Sequence, residues 1–157
     1  AHWRLPRAGP AGPVTATPPA ATLHQATCVA IGGRGLLIEG PPGSGKSSLA
    51  LALLDRGATL EGDDGVLLEV RDGRLWALPP PRIAGLLEVR GVGLLTLPCA
   101  PAAVDLVIAL DRDAPRFVEQ AARVERAGIG VPLVQLFPES PVLALRAEAA
   151  LRLHGLN

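Results

Sequence analysis

The chain has 157 residues, which suits one domain, and 48% of them are apolar, enough for a real core. Its 15 basic and 15 acidic residues cancel, so charge gives no footprint for nucleic acid or an anionic membrane surface. No apolar run reaches the roughly 20 residues that a membrane helix needs.

Residues 1–22 are rich in Pro, Ala, Gly and Thr without periodicity and read as a disordered or loosely attached tail with no signal-peptide core. A single domain is expected over 23–157. "TCVAI" (27–31) reads as a strand, "GGRG" as a turn, and "LLIEG" (36–40) as a second strand running into a glycine-rich loop. "KSSLALALLDRG" (46–57) reads as a helix with Leu49, Leu53 and Leu54 on its buried side and Gly57 as its stop. "ATLEGDDG" (58–65) is a strand edge ending in two carboxylates, and 66–79 a hairpin turning at Asp72-Gly73. Residues 79–98 mix Pro- and Gly-broken pieces with short strands, and "VDLVIAL" (104–110) is a buried strand. The pattern predicts an amphipathic helix over 114–128, a strand over 131–137, and a last helix over 140–155 with Ser140 as its cap. The whole is α/β, a P-loop-containing mixed sheet with a strand-rich middle, because helices and strands do not alternate as in a doubly wound fold.

Cys28 and Cys99 lie far apart in apolar stretches with no CxxC or Cys/His cluster. They read as small core residues in a reducing cytosol rather than as zinc ligands, which points to a cytoplasmic protein.

The strongest chemical signal is "GPPGSGKS": Gly40, Pro41, Pro42, Gly43, Ser44, Gly45, Lys46 and Ser47 match the phosphate-binding pattern G-x-x-x-x-G-K-[ST]. Strand, glycine-rich loop and helix follow one another as that pattern requires. Glycines let backbone N–H groups converge on phosphates, Lys46 offsets their charge, and the Ser47 hydroxyl suits Mg²⁺. Lys46 is the only lysine among the 15 basic residues, at a place where a planar guanidinium does not substitute for a compact ammonium.

Asp63 and Asp64 come next. On an extended segment adjacent side chains point to opposite faces, so one can support Mg²⁺ while the other takes a proton from an attacking hydroxyl. An acidic turn before Gly65 accounts for them equally well. In "LLEVRG" (86–91), Glu88 and Arg90 share one side of a strand, which suits Mg²⁺ and phosphate or a structural ion pair. His24, at the mouth of the first strand, reads on its own as a surface histidine.

Taken in order, "HQATCVAI", "GPPGSGKS", "GDD" and "LLEVRGVG" resemble the bacterial HPr kinase/phosphorylase family, over roughly residues 23–155. The resemblance is most specific in "GLLEVRGVG" (85–93). It implies an ATP- and Mg²⁺-dependent protein serine kinase acting on HPr, the carrier protein of the phosphotransferase system, in some members with reverse phosphorolysis. It implies that the loop holds the nucleotide, that Ser47 and Glu88 are Mg²⁺ ligands, and that Asp64 is the general base. Lys46, His24 and Arg116 match further active-site positions, and a hexamer is the family's common assembly. The chain looks like a short form, similar to the catalytic domain alone. Asp64 is followed by Gly65 where the family often has arginine, and "VPLVQLF" stands where long forms carry an arginine- and glycine-rich segment tied to dephosphorylation. Kinase activity is therefore implied more firmly than phosphorolysis. Two other classes fit the loop by itself: a small-molecule P-loop kinase, although no arginine-rich lid is evident, and a non-catalytic nucleotide-sensing module.

Overall fold

The computed structural model describes residues 21–156. The tail expected over 1–22 lies outside them except at its end, where Thr22 already belongs to a strand.

A nine-stranded sheet carries the architecture, built from β1 (Thr22–His24), β2 (Thr27–Ile31), β3 (Arg34–Glu39), β4 (Thr59–Gly62), β5 (Val66–Arg71), β6 (Arg74–Leu78), β9 (Ala102–Leu110), β10 (Ala122–Arg126) and β11 (Ile129–Leu136). A separate ribbon pairs β7 (Leu86–Val89) with β8 (Gly93–Thr96), and two helices, α1 (Lys46–Asp55) and α2 (Leu143–His154), complete the described residues. The main path runs β1-β5-β6-β9-β3-β2-β4, and β11 joins β9 with β10 outside it. Among the strand pairs of the described residues only β3 with β9 and β9 with β11 are parallel, and Leu60 of β4 adds an isolated parallel bridge to Cys99.

β9 explains why the sheet curls. One of its edges is filled by β3 along most of its length. The other is shared, with Ala102 and Ala103 pairing β6 and Val107 to Leu110 pairing β11. The sheet therefore forks along β9. At the fork the β3/β9 register skips Asp105, a bulge. The buried Asp105 carboxylate accepts hydrogen bonds from Arg34 Nε at 3.0 Å and from Arg74 Nη2, which pays its desolvation.

Alternation along the strands fills both faces. Leu36 and Ile38 of β3 and Leu106 and Ile108 of β9 pack with Leu49 and Leu53 of α1 and Ala147 and Leu151 of α2. Leu37 and Val107 face the other way, with Cys28, Val66, Leu68 and Val131. Cys28 is thus a core residue as expected, whereas Cys99 is only half-buried; both are free thiols. The β5–β6 hairpin turns at Asp72-Gly73 with φ of 51° and 74°, the paired left-handed geometry that this dipeptide favours.

Three expectations need correction. No helix spans 114–128: residues 114–121 form bends and irregular chain, and Ala122–Arg126 is β10, paired antiparallel to β11. The apolar spacing of Phe117, Val118, Ala121 and Val124 mimics a helical stripe, yet Phe117 is exposed. The controlling signal is Ala127-Gly128, with φ of 50° and 80°, which closes a hairpin. The last helix starts at Leu143 rather than 140, and Ser140 instead accepts the Val142 N–H in the turn that leads into it. Finally, β4 ends at Gly62, so Asp63 and Asp64 lie past the strand. Among the described residues, no helix is long and apolar enough to cross a membrane.

Candidate active site

β3 delivers the chain to the glycine-rich loop 40–45, and α1 begins at Lys46. Gly43 and Gly45 have φ of 77° and 100°, values open to glycine at little cost. Gly40 matters for a different reason: a Cβ there would lie 2.5 Å from Ser44 Oγ, which would have to turn away, and 3.3 Å from the Leu110 carbonyl oxygen. The loop thus ends on a helix N-terminus with unpaired N–H groups, the arrangement that attracts anions. Lys46 Nζ folds over the loop and donates to the carbonyls of Gly40 at 2.9 Å and Pro41 at 3.2 Å.

Asp63 is the hub beside it. Its side chain is buried, and Oδ1 accepts from Ser47 Oγ at 2.6 Å and from Thr27 Oγ1 at 3.1 Å. Its other oxygen accepts the Glu88 backbone N–H at 3.0 Å. One carboxylate therefore joins α1, β2 and the β7–β8 ribbon. The two acidic residues do diverge, but not through the pleat of a strand. Asp64 sits at φ 57°, a left-handed turn that sends Asp63 inward and leaves Asp64 exposed, with its N–H on Thr27 Oγ1 at 3.4 Å.

A cavity of about 280 Å³ opens on this arrangement. Lys46, Ser47, Asp64, Glu88 and Arg90 line it together with Pro42, Gly43 and Gly45 of the loop. Arg90 lies just past the end of β7, and among the described residues neither Glu88 nor Arg90 enters an ion pair, so the salt-bridge alternative finds no counterpart. On the other side of the loop a second cavity, about 650 Å³, is bounded by Pro41, Ser44, Leu110, Arg112 and Glu139.

The remaining expected residues fall elsewhere. His24 Nε2 is 2.7 Å from Glu39 Oε2, beside the loop but not on the lining of either cavity. Arg116 lines a different cavity with Arg146, Leu153 and His154, and is not on the loop cavity. Sequence reasoning did not assign Thr27, Glu39 or Arg126. Thr27 carried no signal, being one β-branched residue in a strand. Glu39 and Arg126 form an ion pair across 87 residues, which spacing along the chain cannot reveal.

Residues 18–99, just over half of the chain, match the family model described as HPr Serine kinase C-terminal domain. The HPr kinase/phosphorylase of Clostridium novyi (strain NT) is 42% identical over 77 residues, covering 49% of this chain and 25% of that protein. That of Streptococcus thermophilus (strain ATCC BAA-491 / LMD-9) is 44% identical over 75 residues, 47% of this chain and 24% of that protein. The matched segment thus spans about 25% of the length of these curated relatives. The solved structure of the Hpr(Ser) kinase/phosphatase from Coxiella burnetii superposes with a TM-score of 0.73 at 27% identity, covering 83% of this chain and 94% of that one. The forked sheet with its two helices is therefore the fold of that catalytic domain, and the chain belongs to the HPr serine kinase C-terminal domain family.

Proposed function

We propose that residues 23–157 form an ATP- and Mg²⁺-dependent protein serine kinase whose substrate is an HPr-like phosphocarrier protein. The observation that carries this reading is the convergence of Lys46, Ser47, Asp64, Glu88 and Arg90 on one cavity beside the glycine-rich loop. The names of the relatives, HPr kinase/phosphorylase, supply the substrate class.

The residues fit a magnesium ion. Ser47 spends its proton on Asp63, which leaves the hydroxyl lone pairs free for a cation, and the Glu88 carboxylate lies on the same cavity without an ion-pair partner among the described residues. Mg²⁺ is commonly held by one or two carboxylates plus substrate phosphates, so few protein ligands suffice. Bound there, the ion would neutralise charge on the β- and γ-phosphates.

In this reading the chain's own groups do the rest. Loop N–H groups and Lys46 bind the phosphates, and Lys46 exchanges its two loop carbonyls for phosphate oxygens. The exposed Asp64 carboxylate takes the proton of the target serine as its oxygen bonds to the γ-phosphorus and the bond to the β-phosphate oxygen breaks, releasing ADP. Arg90, rather than Arg116, is the guanidinium placed to meet the transferring group, since it alone of the two lines the cavity. The second cavity across the loop has room for the nucleoside.

Incubating the protein with ATP, Mg²⁺ and HPr, then adding inorganic phosphate, tests both directions. Serine phosphorylation of HPr supports the kinase reading, and pyrophosphate release after phosphate addition supports phosphorolysis. Nucleotide binding without transfer to HPr would overturn the proposed substrate.

A further inference from the structure

The Glu39 carboxylate closes β3 one residue before the loop and is filled from two sides. Arg126, at the end of β10, approaches side-on, with Nη2 2.6 Å from Oε1 and Nε 2.8 Å from Oε2. His24 Nε2 reaches the same Oε2 at 2.7 Å. Two parallel N–H···O contacts make this the strong, planar form of an Arg–carboxylate pair. Burial works to raise the Glu39 pKa, but the bonds from Arg126 and His24 outweigh it and hold the group at about 2. An ionised carboxylate only accepts hydrogen bonds.

We propose that Glu39 and Arg126 are positioning residues that fix His24 with its proton on Nε2, leaving Nδ1 as the ring nitrogen without a protein partner. Among the described residues Nδ1 bonds no protein group, and the His24 side chain retains 31% exposure. The inference rests on the reading of His24 as an active-site residue. Its ring lies off the lining of the two cavities that flank the loop, but the segments that hold it lead to the site: β1 pairs with β5 at His24–Val66, two residues past Asp64, and Glu39 abuts Gly40. Arg126 has a second effect. It neutralises Glu39, so His24 faces a closed ion pair rather than a bare carboxylate. Glu39 from β3 and Arg126 from β10 are the charged groups bonded at this point, and Asp64 is the next carboxylate along the β5 side.

Glu39→Gln, whose amide can donate as well as accept, should release the preference for one tautomer. Arg126→Gln, which leaves the carboxylate held from one side only, should weaken that preference, and Arg126→Lys, which keeps the charge but not the planar fork, should fall between. Long-range ¹H–¹⁵N correlation of ring-labelled histidine reads the tautomer, with the His24 signals assigned through His24→Gln. The expected result is an Nε2–H tautomer in the neutral ring of the unmodified protein and a mixture of tautomers in Glu39→Gln. An Nδ1–H tautomer in the unmodified protein, or an unchanged tautomer in both Glu39→Gln and Arg126→Gln, would overturn the proposal. The tautomer measurement needs no variant in the clamp, so it stands even if one of those variants fails to fold. The spectra are independent of phosphotransfer, so a correct tautomer with a blank HPr assay would reject the kinase reading and leave the clamp intact.

Discussion

The Ser47 hydroxyl and the Asp63 carboxylate meet at 2.6 Å, bringing the first turn of α1 onto the end of β4. This one bond orients the serine, and the same carboxylate holds Thr27 and the Glu88 backbone. Asp63→Ala would leave three donors without their acceptor in a buried place. It should destabilise the protein by roughly 3 kcal/mol, seen as a lowered midpoint in thermal melts, and should reduce phosphotransfer together with Mg²⁺-dependent nucleotide binding.

Asp64 should behave differently. It is exposed, and its only bond in the structure is made by its backbone N–H. Asp64→Asn should leave the melting temperature within about a degree of the unmodified protein and retain ATP binding, while transfer to HPr falls at least about 100-fold. Wild-type transfer by this variant would remove Asp64 from the role of base.

Lys46 bonds only two loop carbonyls, so the fold does not depend on it. Lys46→Ala should weaken ATP binding by about 10- to 100-fold in titration calorimetry, with the melting temperature without nucleotide unchanged. Lys46→Arg should not restore binding, because the planar fork does not follow the path of the ammonium over the loop.

Glu61 supplies a pH prediction. It is buried in β4 at 1% exposure, with Oε2 accepting from Thr59 Oγ1 at 3.3 Å and Oε1 unpaired. Burial raises its pKa from 4.5 to about 8, opposed only weakly by the Thr59 bond. Because the folded value lies above the unfolded one, the contribution of this group is full below about pH 4.5 and is lost as pH rises toward 8. By pH 7 the loss amounts to roughly 3 kcal/mol. Glu61→Gln, which cannot ionise, should flatten this part of the stability profile and exceed the unmodified protein above neutrality in denaturant melts. Identical profiles for the two proteins would show that Glu61 does not titrate in that range.

Gly35 tests the fork in the sheet. A Cβ there would stand 2.4 Å from the Ala103 carbonyl oxygen on β9, a backbone atom with little freedom to withdraw. Gly35→Ala should cost about 3 kcal/mol or prevent folding. Gly65→Ala is the control: its Cβ would meet only the Leu23 and Ile83 methyl groups, at 3.7 and 3.8 Å, and should be tolerated.

The strands β2, β3 and β9, the Asp72-Gly73 hairpin and helix α1 were legible in the chain because each rests on local signals: an apolar run, a turn dipeptide, a glycine stop. Residues 114–128 misled because a helical stripe and a hairpin arm can share one apolar spacing, and only Ala127-Gly128 separates them. The candidate site was legible where a motif is contiguous, as from Gly40 to Ser47. At Asp63 and Asp64 the divergence of the two side chains was legible, but the left-handed turn at Asp64 that produces it was not. The Glu39–Arg126–His24 cluster was invisible, since three strands must fold before its members meet.

The β7–β8 ribbon lies outside the main sheet, moored by Leu87 against the helix-side core and by the Glu88 amide on Asp63. Two of the residues that line the cavity, Glu88 and Arg90, are therefore mounted on or beside a ribbon that the main sheet does not hold. A cation gripping Ser47 on one side and Glu88 on the other would latch it. Amide exchange across 86–96 should accordingly run fast in the free protein and slow once nucleotide and Mg²⁺ are added, so that this short ribbon reports cargo before any phosphate moves.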